Sequence, residues 1–131
     1  RVAEALGVAD PARAEIRREA EEVLRGFLGS PLAAEIGRLR IRARELPVLL
    51  EWDGGALRGT ADLVAEAGDG SLLVVDWKTD AVDAAGAGRR AADYAPAIEA
   101  YARAVRSAFP GTVVRASLVF LRPGVRVDLD A

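Results

Sequence analysis

The segment that most constrains the fold is Leu72-Leu73-Val74-Val75, four consecutive apolar residues that run straight into Asp76-Trp77-Lys78. A strand with one face in water alternates apolar and polar residues, whereas a strand covered on both faces does not. The run therefore predicts a central strand, from Ser71 to Thr79, in a sheet with cover on both sides. Gly68-Asp69-Gly70 is a turn signal before it, and Asp53-Gly54-Gly55 is another further upstream. Between the two turns, Leu57 to Ala67 reads as the preceding strand. Leu39 to Trp52 reads as a strand whose Pro47 calls for an edge position or a bulge. After Pro110-Gly111, Thr112 to Leu121 reads as a further strand and Val125 to Leu129 as a short edge strand.

Helical signals surround these strands. Asp10-Pro11 is an N-cap followed by proline at the first helical position, and Ile16, Ala20, Val23, Leu24 and Phe27 then recur at helical spacing. Gly29 ends that helix. Ser30-Pro31 repeats the start signal for a short helix to Ile36, closed by Gly37. Asp80 to Arg90, rich in Ala and Gly, reads as a mobile loop. A helix follows from about Asp93 to Ala108, with Tyr94, Ile98, Tyr101 and Val105 along one face. The expected order is α-β-β-β-α-β, an α/β fold with a mixed sheet flanked by helices. The 131 residues suit a single domain. The opening at Arg1-Val2-Ala3, without Met, predicts a fragment of a longer protein.

Composition narrows the chemistry. Cysteine and histidine are both absent. Within this chain that removes disulfides, thiolate zinc sites, cysteine-ligated iron–sulfur clusters, cysteine nucleophiles and serine–histidine catalysis. Carboxylates, Lys, Tyr and backbone groups remain, and they favour a hard cation held through oxygen. No apolar run approaches the roughly 18 residues of a membrane helix. The net charge of −2 lacks the basic excess of a protein that grips nucleic acid unaided. A substrate of that kind would have to be delivered by another part of a larger machine.

One constellation fits that chemistry. Alternation along the central strand puts Asp76 and Lys78 on one face and Trp77 on the other. Asp62 lies on the preceding strand, and the turn decides whether it meets Asp76. A two-residue loop, Asp69-Gly70, would set Asp62 opposite Trp77. A three-residue loop, Gly68-Asp69-Gly70, would set Asp62 opposite Asp76, with Gly70 supplying the left-handed residue that such loops want. Two carboxylates about 5 Å apart across a strand pair make a seat for a divalent cation. Mg²⁺ would take oxygen from Asp62, Asp76 and the Trp77 carbonyl while keeping waters. Lys78 would then offset charge in a phosphodiester transition state.

Gly59-Thr60-Ala61-Asp62, then Val75-Asp76-Trp77-Lys78-Thr79, then Tyr94 to Tyr101 resemble the RecB-like branch of the PD-(D/E)XK nucleases. The match is nearest to the C-terminal nuclease domain of AddA-type helicase–nucleases, with its G-x-I/V-D, D-Y-K-T and Y-x-x-Q-x-x-x-Y pattern. The resemblance begins at Arg44-Glu45-Leu46-Pro47, similar to that family's R-E-x-P strand. It implies a restriction-endonuclease-like core in which Asp62 and Asp76 are metal ligands, Lys78 is the catalytic lysine and Glu45 is an additional acid. Tyr94 and Tyr101 match the aromatic positions of the helix motif.

The resemblance further implies a Mg²⁺-dependent exonuclease, with Mn²⁺ as a substitute. It implies a bacterial cytoplasmic parent that repairs double-strand breaks, with a helicase part delivering single-stranded DNA and a second helicase–nuclease subunit as partner. Three departures stand out: Trp77 replaces Tyr, Ala97 replaces Gln, and the family's upstream helix bearing a metal-binding His has no counterpart here. The competing reading is an inert nuclease-like domain that guides DNA or serves structure. Arg89 and Arg90 read equally as phosphate contacts or as a solvated pair.

Overall fold

Among the described residues five strands form one sheet in the order β1-β2-β3-β4-β5. A computed structural model describes residues 10–129, and the reading of the chain's opening residues lies outside them. The strands are β1 (Arg40–Trp52), β2 (Gly55–Glu66), β3 (Leu72–Lys78), β4 (Val114–Phe120) and β5 (Val125–Leu129). β3 is central, antiparallel to β2 and parallel to β4, so the sheet is mixed. β1 lies at one edge, where its Pro47 is tolerated. β5 forms the other edge, held in part by buried Ser117, whose Oγ donates to Asp128 Oδ1 at 2.6 Å.

Among the described residues three helices cover the sheet: α1 (Asp10–Leu28), α2 (Pro31–Gly37) and α3 (Ala84–Ala108). On one face Ala87, Ala91, Ile98, Ala102 and Val105 of α3 pack on Val64, Leu72, Val74, Leu118 and Phe120. On the other, Phe27 of α1 with Leu32 and Ile36 of α2 packs on Leu63, Val75, Val119 and Leu121. This double cover is what the continuous apolar run of β3 required.

Two expectations are corrected. The Asp80–Arg90 segment is only in part a loop, because α3 begins at Ala84 with Asp83 as its N-cap, accepting from the Gly86 N–H at 2.7 Å. Two of the small residues taken for flexibility, Gly86 and Ala87, are packing surface. Gly86 is buried, and a Cβ there would come within 3.1 Å of Val82. The apolar stripe of α1 is also less buried than its spacing predicts: Phe27 is covered, but Ile16 is 54% and Leu24 51% exposed. Ile16, Ala20, Val23 and Leu24 instead line a cavity of about 400 Å³ with Thr79 and Leu121.

Candidate active site

The β2–β3 turn takes the three-residue form. Gly70 has φ +87°, the Ala67 N–H donates to the Ser71 carbonyl at 2.9 Å, and the ladder runs from Glu66↔Leu72 to Leu63↔Val75. Continued by one step, that register sets Asp62 opposite Asp76. The backbone ladder stops there, and the Asp62 carboxylate takes over as acceptor, receiving the Trp77 N–H at 2.9 Å. A strand residue directs its N–H and C=O to the same side, so the Trp77 carbonyl also faces β2 beyond the last ladder pair.

The three residues at the end of β3 divide between the two faces as alternation requires. The Trp77 ring packs edge-on to Phe27 with centroids 6.0 Å apart. On the α3 face, Lys78 Nζ lies 2.7 Å from Asp76 Oδ2 and 3.9 Å from the centroid of the Tyr94 ring. Asp76 is only 7% exposed. Burial raises its pKa first and the neighbouring Asp62 carboxylate adds to that, while Lys78 pulls it down; the net direction is up. Asp76 Oδ2 is buried, and its close partner is the Lys78 ammonium.

These groups fit a hard divalent cation of the Mg²⁺ kind, which needs one or two carboxylates and keeps its waters. They do not form a protein cage: among the described residues no three acidic side chains gather as a metal site. Glu45 accordingly stands apart. The register counts it opposite Asp62, between Arg44↔Leu63 and Leu46↔Ala61, but its φ of +49° takes it out of the ladder and its side chain is exposed.

The helix motif separates into different tasks. Tyr101 packs against β2, where a Cβ on Gly59 would fall 2.1 Å from its hydroxyl. Tyr94 sits at the site. Its hydroxyl donates to Asp80 (2.9 Å to Oδ2) and accepts from Arg90 Nη2 at 3.1 Å. Arg90 also reaches Asp80 Oδ2 from Nε at 3.0 Å and Asp93 Oδ2 from Nη1 at 2.8 Å. Its guanidinium is thus engaged within the chain, while Arg89 is exposed. Ala97 lines an apolar hollow with Leu50, Leu57 and Pro96, facing the β1–β2 hairpin.

A family model described as the PD-(D/E)XK nuclease superfamily matches residues 2–128. The chain belongs to the PD-(D/E)XK nuclease superfamily. Among curated proteins none matches. A solved structure described as a repair endonuclease from Pyrococcus abyssi is similar at 20% identity with a TM-score of 0.46. The similarity covers 78% of this chain and 37% of that one.

Two signals in the superfamily chain escaped the sequence reading. Lys78 is its only lysine; the other 17 of its 18 basic residues are arginine. In a chain that otherwise uses arginine, a lysine marks a position suited to a compact ammonium rather than a planar guanidinium. Asp80 falls within the expected loop, and its contacts with Tyr94 and Arg90 single it out.

Proposed function

We propose that the chain is the catalytic core of a divalent-metal-dependent DNA nuclease. More finely, we read it as an exonuclease domain of a RecB-like, AddA-type helicase–nuclease that repairs double-strand breaks. The observation that carries the reading is the meeting of Asp62, Asp76 and Lys78 where the β2–β3 ladder ends.

In this reading Asp62, Asp76 and the Trp77 carbonyl hold Mg²⁺, or Mn²⁺ in its place. The bound ion supplies an acidified water and Lewis-acid stabilisation of the phosphate. Lys78 presents its ammonium to the phosphate oxygens and offsets the charge that builds in the transition state. Asp62 contributes twice, since the carboxylate that would face the ion also fixes the Trp77 backbone. By the motif resemblance Glu45, although apart from the carboxylate pair in the fold, would serve as an additional acid, and Arg89 would contact a phosphate. The motif resemblance supports the helicase–nuclease setting. The net charge of −2 supports delivery of single-stranded DNA by a helicase part, with a second subunit as partner, in the bacterial cytoplasm. Among the described residues no helix is long and apolar enough to cross a membrane.

The test compares the parent protein with its Asp76→Ala and Lys78→Ala variants on end-labelled single-stranded DNA with Mg²⁺. Each variant is expected to lose about 100-fold or more of the cleavage rate, and a chelator to abolish the wild-type reaction. Equal degradation by all three proteins would sink the nuclease assignment for this site.

A further inference from the structure

We propose that Asp80 and Arg90 are positioning residues that lock the Tyr94 ring so that its face holds the Lys78 ammonium in place. The inference leans on the nuclease reading only for its effect on cleavage. The geometry stands on its own.

Lys78 has a long, flexible side chain, and its ion pair with Asp76 is a single contact at 2.7 Å. Left to that contact alone, the ammonium would follow Asp76 Oδ2, an oxygen that the site needs for other work. The Tyr94 ring gives it a second seat, 3.9 Å from the ring centroid, through attraction between a cation and the negative face of the ring. Such a seat is only as definite as the tilt of the ring, and a tyrosine ring is free to turn about two side-chain bonds. Here that freedom is removed at both ends. Fully buried Phe120 packs against the ring with centroids 6.5 Å apart. At the outer end the hydroxyl is tied to Asp80, on the stretch after β3, and to Arg90, one turn back on α3.

The bland alternative for Asp80 is a helix cap. That task belongs to Asp83, which leaves Tyr94 and Arg90 as the side-chain partners of the Asp80 carboxylate. Arg90 is itself a cation only 5.2 Å from the ring centroid. Its bonds to Asp80 and Asp93 hold it there, farther from the centroid than the Lys78 ammonium at 3.9 Å.

Because Lys78 is the only lysine, protein grown with ¹³C-labelled lysine gives one ε-methylene signal. In the full chain that signal should lie upfield of free lysine through the ring current of Tyr94. Tyr94→Leu should return it to the free position, and Asp80→Ala should move it most of the way. Asp80→Asn, which keeps an acceptor for the hydroxyl, should restore most of the shift, and Tyr94→Phe should fall between. In cleavage of single-stranded DNA, Asp80→Ala should lower turnover about 10- to 100-fold with little change in KM, as expected of a misplaced group. Should Asp80→Ala fail to give a dispersed amide spectrum, Asp80→Asn and Tyr94→Phe decide the matter. A Lys78 signal indifferent to Tyr94→Leu, or wild-type turnover in a folded Asp80→Ala protein, would overturn the proposal. A wild-type chain that does not cut, but whose Lys78 signal responds as described, would remove the nuclease reading and leave the clamp standing.

Discussion

Asp76 shows how much the site strains the chain that carries it. Its carboxyl is buried, sits beside Asp62, and has one buried oxygen against the Lys78 ammonium. Burial first, and Asp62 second, raise its pKa in the fold above the ordinary value of 3.8. The sign follows from linkage: the favourable contribution is complete below the ordinary carboxylate value and is lost as pH rises through the raised one. At neutral pH ionised Asp76 therefore opposes folding. Asp76→Asn should accordingly stabilise the protein at pH 7 while removing activity, a trade common at functional sites. Urea melts at pH 7 and pH 3 check this, and the gain should shrink in acid. A variant less stable than wild type at pH 7 would refute it.

At the scale of elements, the turn of β2 into β3 and the seat of α3 on β2 do most to build the site. Gly59 lies three residues before Asp62 and faces the end of the Tyr101 ring, with no room for a methyl group. The glycine of the G-x-x-D motif thus has a packing reason: it lets α3 approach β2 closely enough to bring Tyr94 over Lys78. Gly59→Ala should cost about 1–3 kcal/mol through overpacking, and a smaller partner, Tyr101→Leu, should recover part of that loss. A double-mutant cycle in denaturant measures the coupling. Strictly additive effects would show that the contact does not matter. The β3 segment was legible because a strand buried on both faces leaves an unbroken apolar run. The first turns of α3 were not, since Gly86, Ala87 and Gly88 resemble a loop by composition. Gly86 and Ala87 are small because they pack closely, a tertiary demand that local pattern does not display.

Across the whole molecule, sequence and structure agree on the sheet, its mixed pairing and the two faces of β3, all of which follow from periodicity and turn chemistry. They part over α1, whose stripe looks like core yet leaves Ile16 and Leu24 half exposed. Spacing shows that a helix has an apolar side but does not say what covers it. Phe27 against Trp77 and the Arg122 bridge from Glu19 to the Thr79 carbonyl are among the ties between α1 and the sheet. The catalytic candidates were legible as residues, and their meeting depended on a register that two turn lengths left open. Glu45 was legible only by resemblance, and its left-handed backbone has no signature in the surrounding pattern.

The Gly68-Asp69-Gly70 turn lies at the far end of the hairpin from Asp62 and Asp76, yet it sets which side chains meet there. Side chains alternate with a period of two, so this remote loop obeys a parity rule. Insertion of one residue, if absorbed as a shift of register, turns Asp62 to the wrong face, whereas two residues added as a longer loop leave the pairing intact. Single-residue insertions after Asp69 should therefore abolish cleavage, and two-residue insertions should largely spare it. The comparison is a cleavage assay on the two insertion variants, and equal activity in both would contradict the rule. Loop length, ordinarily the most permissive trait of a surface turn, here carries information about the chemistry at the other end of the strand pair.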